Sequence, residues 1–123
     1  MKPKAIVGIA RELFDSEGNL DIPEPGLGLF AEIPGVEYRI FPEQHAEIPP
    51  AQVHGCHMVI SAASRWTERS LLGNDQLVAV LFTGVGYDHI DVAALTKANV
   101  ILCFAPDAVR RPMACTIITF ILA

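Results

Sequence analysis

Five short runs of apolar, partly β-branched residues constrain this chain more than any other feature. They span Ala5 to Ala10, Glu37 to Phe41, His57 to Ser61, Leu77 to Thr83 and Val100 to Phe104. A strand with one wet face alternates apolar and polar residues, whereas a run that stays apolar is buried on both faces, as in a parallel sheet. Segments with helical character separate the runs. Gly28 to Ile33 carries Leu29, Phe30 and Ile33 at helical spacing and is stopped by Pro34-Gly35. Thr67 is placed to cap Glu68 to Leu72, which Gly73 closes; Asp91 is placed to cap Val92 to Ala98, and Asn99 suits a left-handed stop. Each link is long enough for a right-handed crossover, so the expected fold is α/β, a flavodoxin-like doubly wound domain on a five-stranded parallel sheet. Asp15 to Gly26 and Pro42 to Pro50 read as irregular connections.

The carboxyl end departs from this pattern. Val109 to Ala123 reads as a helix with Pro112 in its first turn, and Ile117, Ile118, Phe120, Ile121 and Leu122 make it apolar nearly all round. Such a helix expects burial on several sides. It is expected to protrude from the domain and to pack on a partner, as in a homodimer formed through residues 109–123. The sequence looks cut off there.

Composition removes several classes of function. With 123 residues the chain is one domain, and 51% hydrophobic with 19% charged residues is a globular balance. A formal charge of −5 argues against nucleic acid, which needs clustered Lys and Arg; Arg110-Arg111 is too short for a patch. No apolar run reaches the roughly 17–25 residues that cross a bilayer, so no membrane partner is expected. The run after Lys2 and Lys4 meets Arg11 and Glu12 too soon for a signal peptide. Cys56, Cys103 and Cys115 show no CxxC spacing and read as reduced, small hydrophobic residues of a cytoplasmic protein. His54-Gly55-Cys56-His57 has no second pair at finger-like spacing, so no metal site is assigned.

The stretch Gly84-Val85-Gly86 follows the fourth apolar run and opens on three readings. A dinucleotide fingerprint requires a third glycine, but His89 stands in its place, and Asp88 puts a carboxylate where phosphates would lie. A plain tight turn, with Asp88 and Asp91 bonded to backbone amides, is the structural alternative. The third reading is a loop of bare amides for a small anion.

The segment "GVGYDHIDVAAL" resembles the GxGxDxxD element of the D-isomer-specific 2-hydroxyacid dehydrogenases. Upstream, "VISAASRWTERSLLGNDQLVAVL" is similar to that family's strand, substrate loop, helix and next strand. Downstream, "ANVILCFAPDAVRRPMACTIITFILA" is similar to the strand, proline turn and helix that lead into its cofactor domain. Residues 57 to 123 match in order and spacing, and residues 1 to 56 only in outline. The resemblance implies that backbone N–H groups of Val85 and Gly86 meet a substrate carboxylate, with Gly84 keeping side chains clear, and that Ser64 or Arg65 borders the same cleft. It also implies NAD or NADP in the complete enzyme.

The dinucleotide fingerprint and the catalytic arginine, glutamate and histidine of such enzymes belong to a second domain. His45, His54, His57 and His89 lie outside the family's catalytic motif, and Met113-Ala114-Cys115 stands where Val-Ala-Glu is usual. Residues 1–108 are therefore expected to be a substrate-binding domain and 109–123 the start of the interdomain helix, with the NAD-binding domain absent. No catalytic residue is assigned, no cofactor is expected on this chain, and alone it is expected to be inactive. The expected ligand is a small 2-hydroxy or 2-keto acid. The alternative is a non-enzymatic, dimerising interaction module derived from the same family.

Overall fold

The computed structural model describes residues 4–20 and 26–123. Five parallel strands form one sheet: β1 (Ala5–Ile9), β2 (Val36–Ile40), β3 (Met58–Ser61), β4 (Ala79–Phe82) and β5 (Ile101–Cys103). Their order is β2-β1-β3-β4-β5, which is the flavodoxin-like doubly wound arrangement. All five runs became strands: four are shortened by one to three residues, and β2 is shifted one residue toward the amino terminus. The helices are α1 (Leu27–Glu32), α2 (Pro50–Val53), α3 (Val92–Lys97) and α4 (Pro106–Leu122), with 3-10 turns at Arg11–Leu13 and Glu68–Leu71.

Register explains the two cores. Val7 and Ile9 on β1 pair with Met58 and Ile60 on β3, and these pack with Leu13, Leu27 and Phe30 on one face. Val59 and Val80 point to the other face, where Phe41, Val53, Cys56, Trp66, Ile90 and Leu95 close over them. Gly8 lies between these layers in the centre of the sheet. A Cβ there would come 2.7 Å from the Phe41 ring and 3.0 Å from Cys56 Sγ, so the residue is small because Phe41 occupies its volume.

The expected stops hold. Asn99 has φ 56° and Gly35 and Gly73 have φ 83° and 69°, the left-handed conformation that ends each helical segment. Asp91 Oδ1 accepts the Ala94 amide at 2.9 Å as the cap of α3. Two local expectations need correction. Glu68–Leu71 is a 3-10 turn and not an α-helix, although Thr67 is its N-cap residue as expected and its amide donates to Ser70 Oγ at 3.3 Å. The described part of the connection from Asp15 to Gly26 is a loop, as expected, and it opens on a turn. Asp15 Oδ1 accepts the Glu17 and Asn19 amides, and Phe14 bridges Leu20; residues 21–25 of that connection lie outside the described residues.

The second correction concerns α4. It begins at Pro106, so Pro112 is interior and not in the first turn. Pro106 suits a first helical position because its φ is preset and its missing N–H would have no partner there. Asp107 follows in the favourable first turn and pairs with Arg110 at 2.6 Å. No α4 residue is buried: Phe120 is 78% exposed and Leu122 81%. The helix leaves the sheet over β5 uncovered, where Ile101 is 63% exposed. All three cysteines are free, as expected; Cys56 is buried, and Cys103 and Cys115 are exposed. Among the described residues no helix is long and apolar enough to cross a membrane.

Candidate functional site

In an open parallel sheet the loops beyond the carboxyl ends of the strands converge, and ligands bind there. Here that edge gathers the 3-10 turn after β1, the loop 62–66 after β3 and the glycine loop 83–90 after β4. Trp66 joins the last two. Its amide donates to His89 O at 3.1 Å, and its carbonyl accepts the Asp91 amide at 2.9 Å. Its indole Nε1 donates to Ser61 Oγ at 3.2 Å, and the side chain is 1% exposed. Trp66 is thus a core residue.

The glycine loop carries bare donors. Thr83 N donates to Ser61 O at 3.0 Å, and Gly84 O accepts the Ala105 amide at 3.0 Å, so its base is tied down. Among the described residues the amides of Val85 and Gly86 have no acceptor, and both residues are exposed. The two glycines serve different ends. A Cβ on Gly84 would lie 2.6 Å from the Phe82 ring, so that position is small for internal packing. On Gly86 a Cβ would meet only Asp88 Oδ1, at 3.4 Å, and it is this residue that leaves the loop's tip clear. Tyr87 packs against Phe104 with centroids 5.4 Å apart, and His89 sits edge-on to Phe82 at 5.0 Å.

Ser64 and Arg65 part company. Arg65 is exposed, and its backbone is held by Ala46 and Ile48 at 2.9 and 3.0 Å. Ser64 is buried and turned inward. Its amide donates to Glu12 Oε2 at 2.7 Å, and its hydroxyl reaches both Glu12 and the carbonyl of His45. Its one proton favours the charged acceptor.

Glu12 is the residue that sequence reasoning missed. Its Oε1 accepts the Ser61 hydroxyl at 2.9 Å and the amides of Ala62 and Ala63 at 2.6 and 2.8 Å. Burial by itself would raise its pKa. The hydrogen bonds from Ser64, Ala62, Ala63 and Ser61 together outweigh burial and hold the carboxyl below its ordinary 4.5. Beside it opens a cleft of about 460 Å³ lined by Glu12, Gln44, His45, Ala46, Ala63 and Ser64. The available signal was positional: an acid directly after the first buried parallel strand, opposite the small residues Ser61-Ala62-Ala63-Ser64.

The other singled-out side chains have structural duties. His57 Nδ1 accepts the Ile6 amide at 3.1 Å between β1 and β3. Cys56 is buried, and burial pushes its thiol pKa up against the nearby Arg39 charge. Among the described residues no group of three His, Cys, Asp or Glu side chains is placed to hold a metal.

The profile of the D-isomer specific 2-hydroxyacid dehydrogenases, catalytic domain, matches residues 14–115. The chain belongs to this family. Among curated proteins no match was found. As a 2-hydroxyacid dehydrogenase catalytic domain, it carries its GxGxDxxD element on the β4–α3 loop. The glycine loop does not fit the pyrophosphate of a nicotinamide dinucleotide. The helix after the glycines starts only at Val92, and its amino terminus is already capped by Asp91. His89 fills the third glycine's place against Phe82. A pyrophosphate would find no free helix end there.

Proposed function

We propose that residues 1–108 are the substrate-binding half of an NAD(P)-dependent oxidoreductase acting on the CH–OH group of small D-2-hydroxy acids or the corresponding 2-keto acids. The carrying observation is the pair of acceptor-less amides at Val85 and Gly86, exposed at the carboxyl edge of a family member's sheet. Two adjacent N–H groups suit one carboxylate, and Gly86 gives it room. Arg65, exposed on the neighbouring loop, is the cation best placed to border the ligand. Ser64 acts from behind by shaping the loop. Dinucleotide, acid/base and clamping cation are assigned to a second domain, which α4 leads into, so the isolated chain does not turn over. The three free cysteines, two of them exposed, suit a reducing cytoplasmic setting.

The test is a titration of the ¹⁵N-labelled chain with glyoxylate, pyruvate and hydroxypyruvate. Saturable shifts are expected at the Val85 and Gly86 amides. Val85→Pro removes one donor and should weaken binding by about tenfold or more, since a hydrogen bond to a charged group contributes roughly 1.5–3 kcal/mol. Absence of any response at these two amides would remove the reading.

A second reading concerns association. α4 exposes Met113, Ile117, Ile118, Phe120, Ile121 and Leu122, while Ile101 and Phe104 are bare at the β5 edge. We propose that two copies pack α4 helices against each other's uncovered edge, forming a homodimer through residues 109–123. Neither nucleic acid nor membrane is a partner in this reading. Sedimentation at micromolar concentration should give a dimer, and Ile118→Glu with Ile121→Glu should give a monomer. A native chain that sediments as a monomer ends this proposal.

A further inference from the structure

The loop after β3 is shaped to hold a carboxylate, and the carboxylate it holds is the chain's own. Three consecutive amides, of Ala62, Ala63 and Ser64, converge on Glu12 at 2.6, 2.8 and 2.7 Å. The hydroxyls of Ser61 and Ser64 complete the set, so both carboxylate oxygens are engaged. Successive N–H groups with small side chains make a concave anion nest. The nest is held independently of Glu12: Ser61 ends β3, its Oγ is fixed by the Trp66 indole, and Arg65 is pinned to Ala46. Glu12 arrives from another element, on a 3-10 turn, and precedes the residues that the family profile matches. Its other side faces the cleft of about 460 Å³, which gives a free anion a route in. Receptor and occupant are therefore separable.

We propose that residues 61–64 form a small-carboxylate site in their own right, with Glu12 as its resident intramolecular ligand, and that a free monocarboxylate takes the site when Glu12 is removed. The proposal does not depend on ligand binding at Val85 and Gly86. In the native chain Glu12 occupies this loop and keeps free anions out of it.

The experiment uses the full chain carrying Glu12→Ala, titrated with formate or acetate against chloride at equal ionic strength. Expected are saturable shifts of the Ala62, Ala63 and Ser64 amides, about tenfold or more tighter with formate than with chloride or with the native chain. Trp66 emission should return toward the native spectrum, because the indole reports on Ser61. Equal responses to formate and chloride would overturn the proposal, as would equal responses of variant and native chains. Shifts confined to Val85 and Gly86 would also overturn it, while leaving the substrate reading intact. If the variant fails to fold, refolding in formate but not chloride supports the site, and failure in both refutes it.

Discussion

Trp66→Ala should destabilise the domain by about 3–5 kcal/mol, the range for truncating a large buried aromatic side chain. Single domains are stable by roughly 5–15 kcal/mol, so most of the folded population's margin would go. Trp66 is 1% exposed, in the cluster with Val59, Val80, Ile90 and Leu95. The cavity left behind lies between the two loops of the candidate site. Its backbone bonds to His89 and Asp91 tie the β3 loop to the glycine loop, and the indole holds Ser61. The variant should therefore lose more than stability: the Val85 and Gly86 amide resonances should broaden or move. Trp66→Phe keeps most of the volume and loses the indole hydrogen bond, so its cost should be nearer 1 kcal/mol. Urea denaturation followed by circular dichroism measures both, since the only tryptophan is the residue replaced. A Trp66→Ala variant within 1 kcal/mol of the native chain, on the roughly 3–5 kcal/mol expectation, would show that the two loops hold together without it.

Glu12→Gln should cost about 2 kcal/mol at neutral pH, as expected for hydrogen bonds to a charged acceptor replaced by a neutral amide that faces donors. For a domain of this size that is a fall in Tm of roughly 8 °C. The pH dependence identifies the cause. The folded-state pKa of Glu12 lies below its ordinary value of 4.5, so the unfolded chain binds the proton more readily. Its contribution is complete above that value and is lost as pH falls through the folded-state pKa. The gap between native and Glu12→Gln chains should therefore be widest near neutrality and close progressively below pH 4.5. A gap that stays constant on acidification would mean that shape, and not charge, is what Glu12 supplies. Asp15 is also held below its ordinary range by the Asn19 and Glu17 amides, but it is exposed and common to both chains, so it cancels in the difference.

β1, β3 and β4 were legible because burial on both faces leaves a local mark, a run that stays apolar without alternation; the edge strands β2 and β5 are mostly exposed, and β2 carries Glu37 and Arg39. The stops were legible for the same local reason, since the left-handed conformation of Asn99, Gly35 and Gly73 is a property of single residues. The start of α4 is not legible because two prolines, Pro106 and Pro112, each suit a first turn, and only the structure shows that Pro106 occupies it. Exposure of Cys103 and Cys115 was not legible at all. Their apolar neighbourhoods along the chain say nothing of whether another element covers β5.

The glycine loop shows the division within a single motif. GVG after a strand, with no third glycine, was enough to set aside a dinucleotide, while the bare amides were implied by the family resemblance. It could not separate Gly84, which is small because the Phe82 ring lies against it, from Gly86, which is small toward open space. Both look alike in sequence because the atoms that distinguish them belong to other residues.

The amino-acid order by itself determined the parallel α/β sheet, the stops of its short helices and which loops reach its carboxyl edge, because these follow from burial patterns and backbone preferences of neighbouring residues. Only the tertiary structure decided that Glu12 fills the Ser61–Ser64 nest and that Trp66 clamps two loops. Those contacts join groups about 50 residues apart in the case of Glu12, and their energy depends on distances of 2.6–2.9 Å that no spacing along the chain encodes.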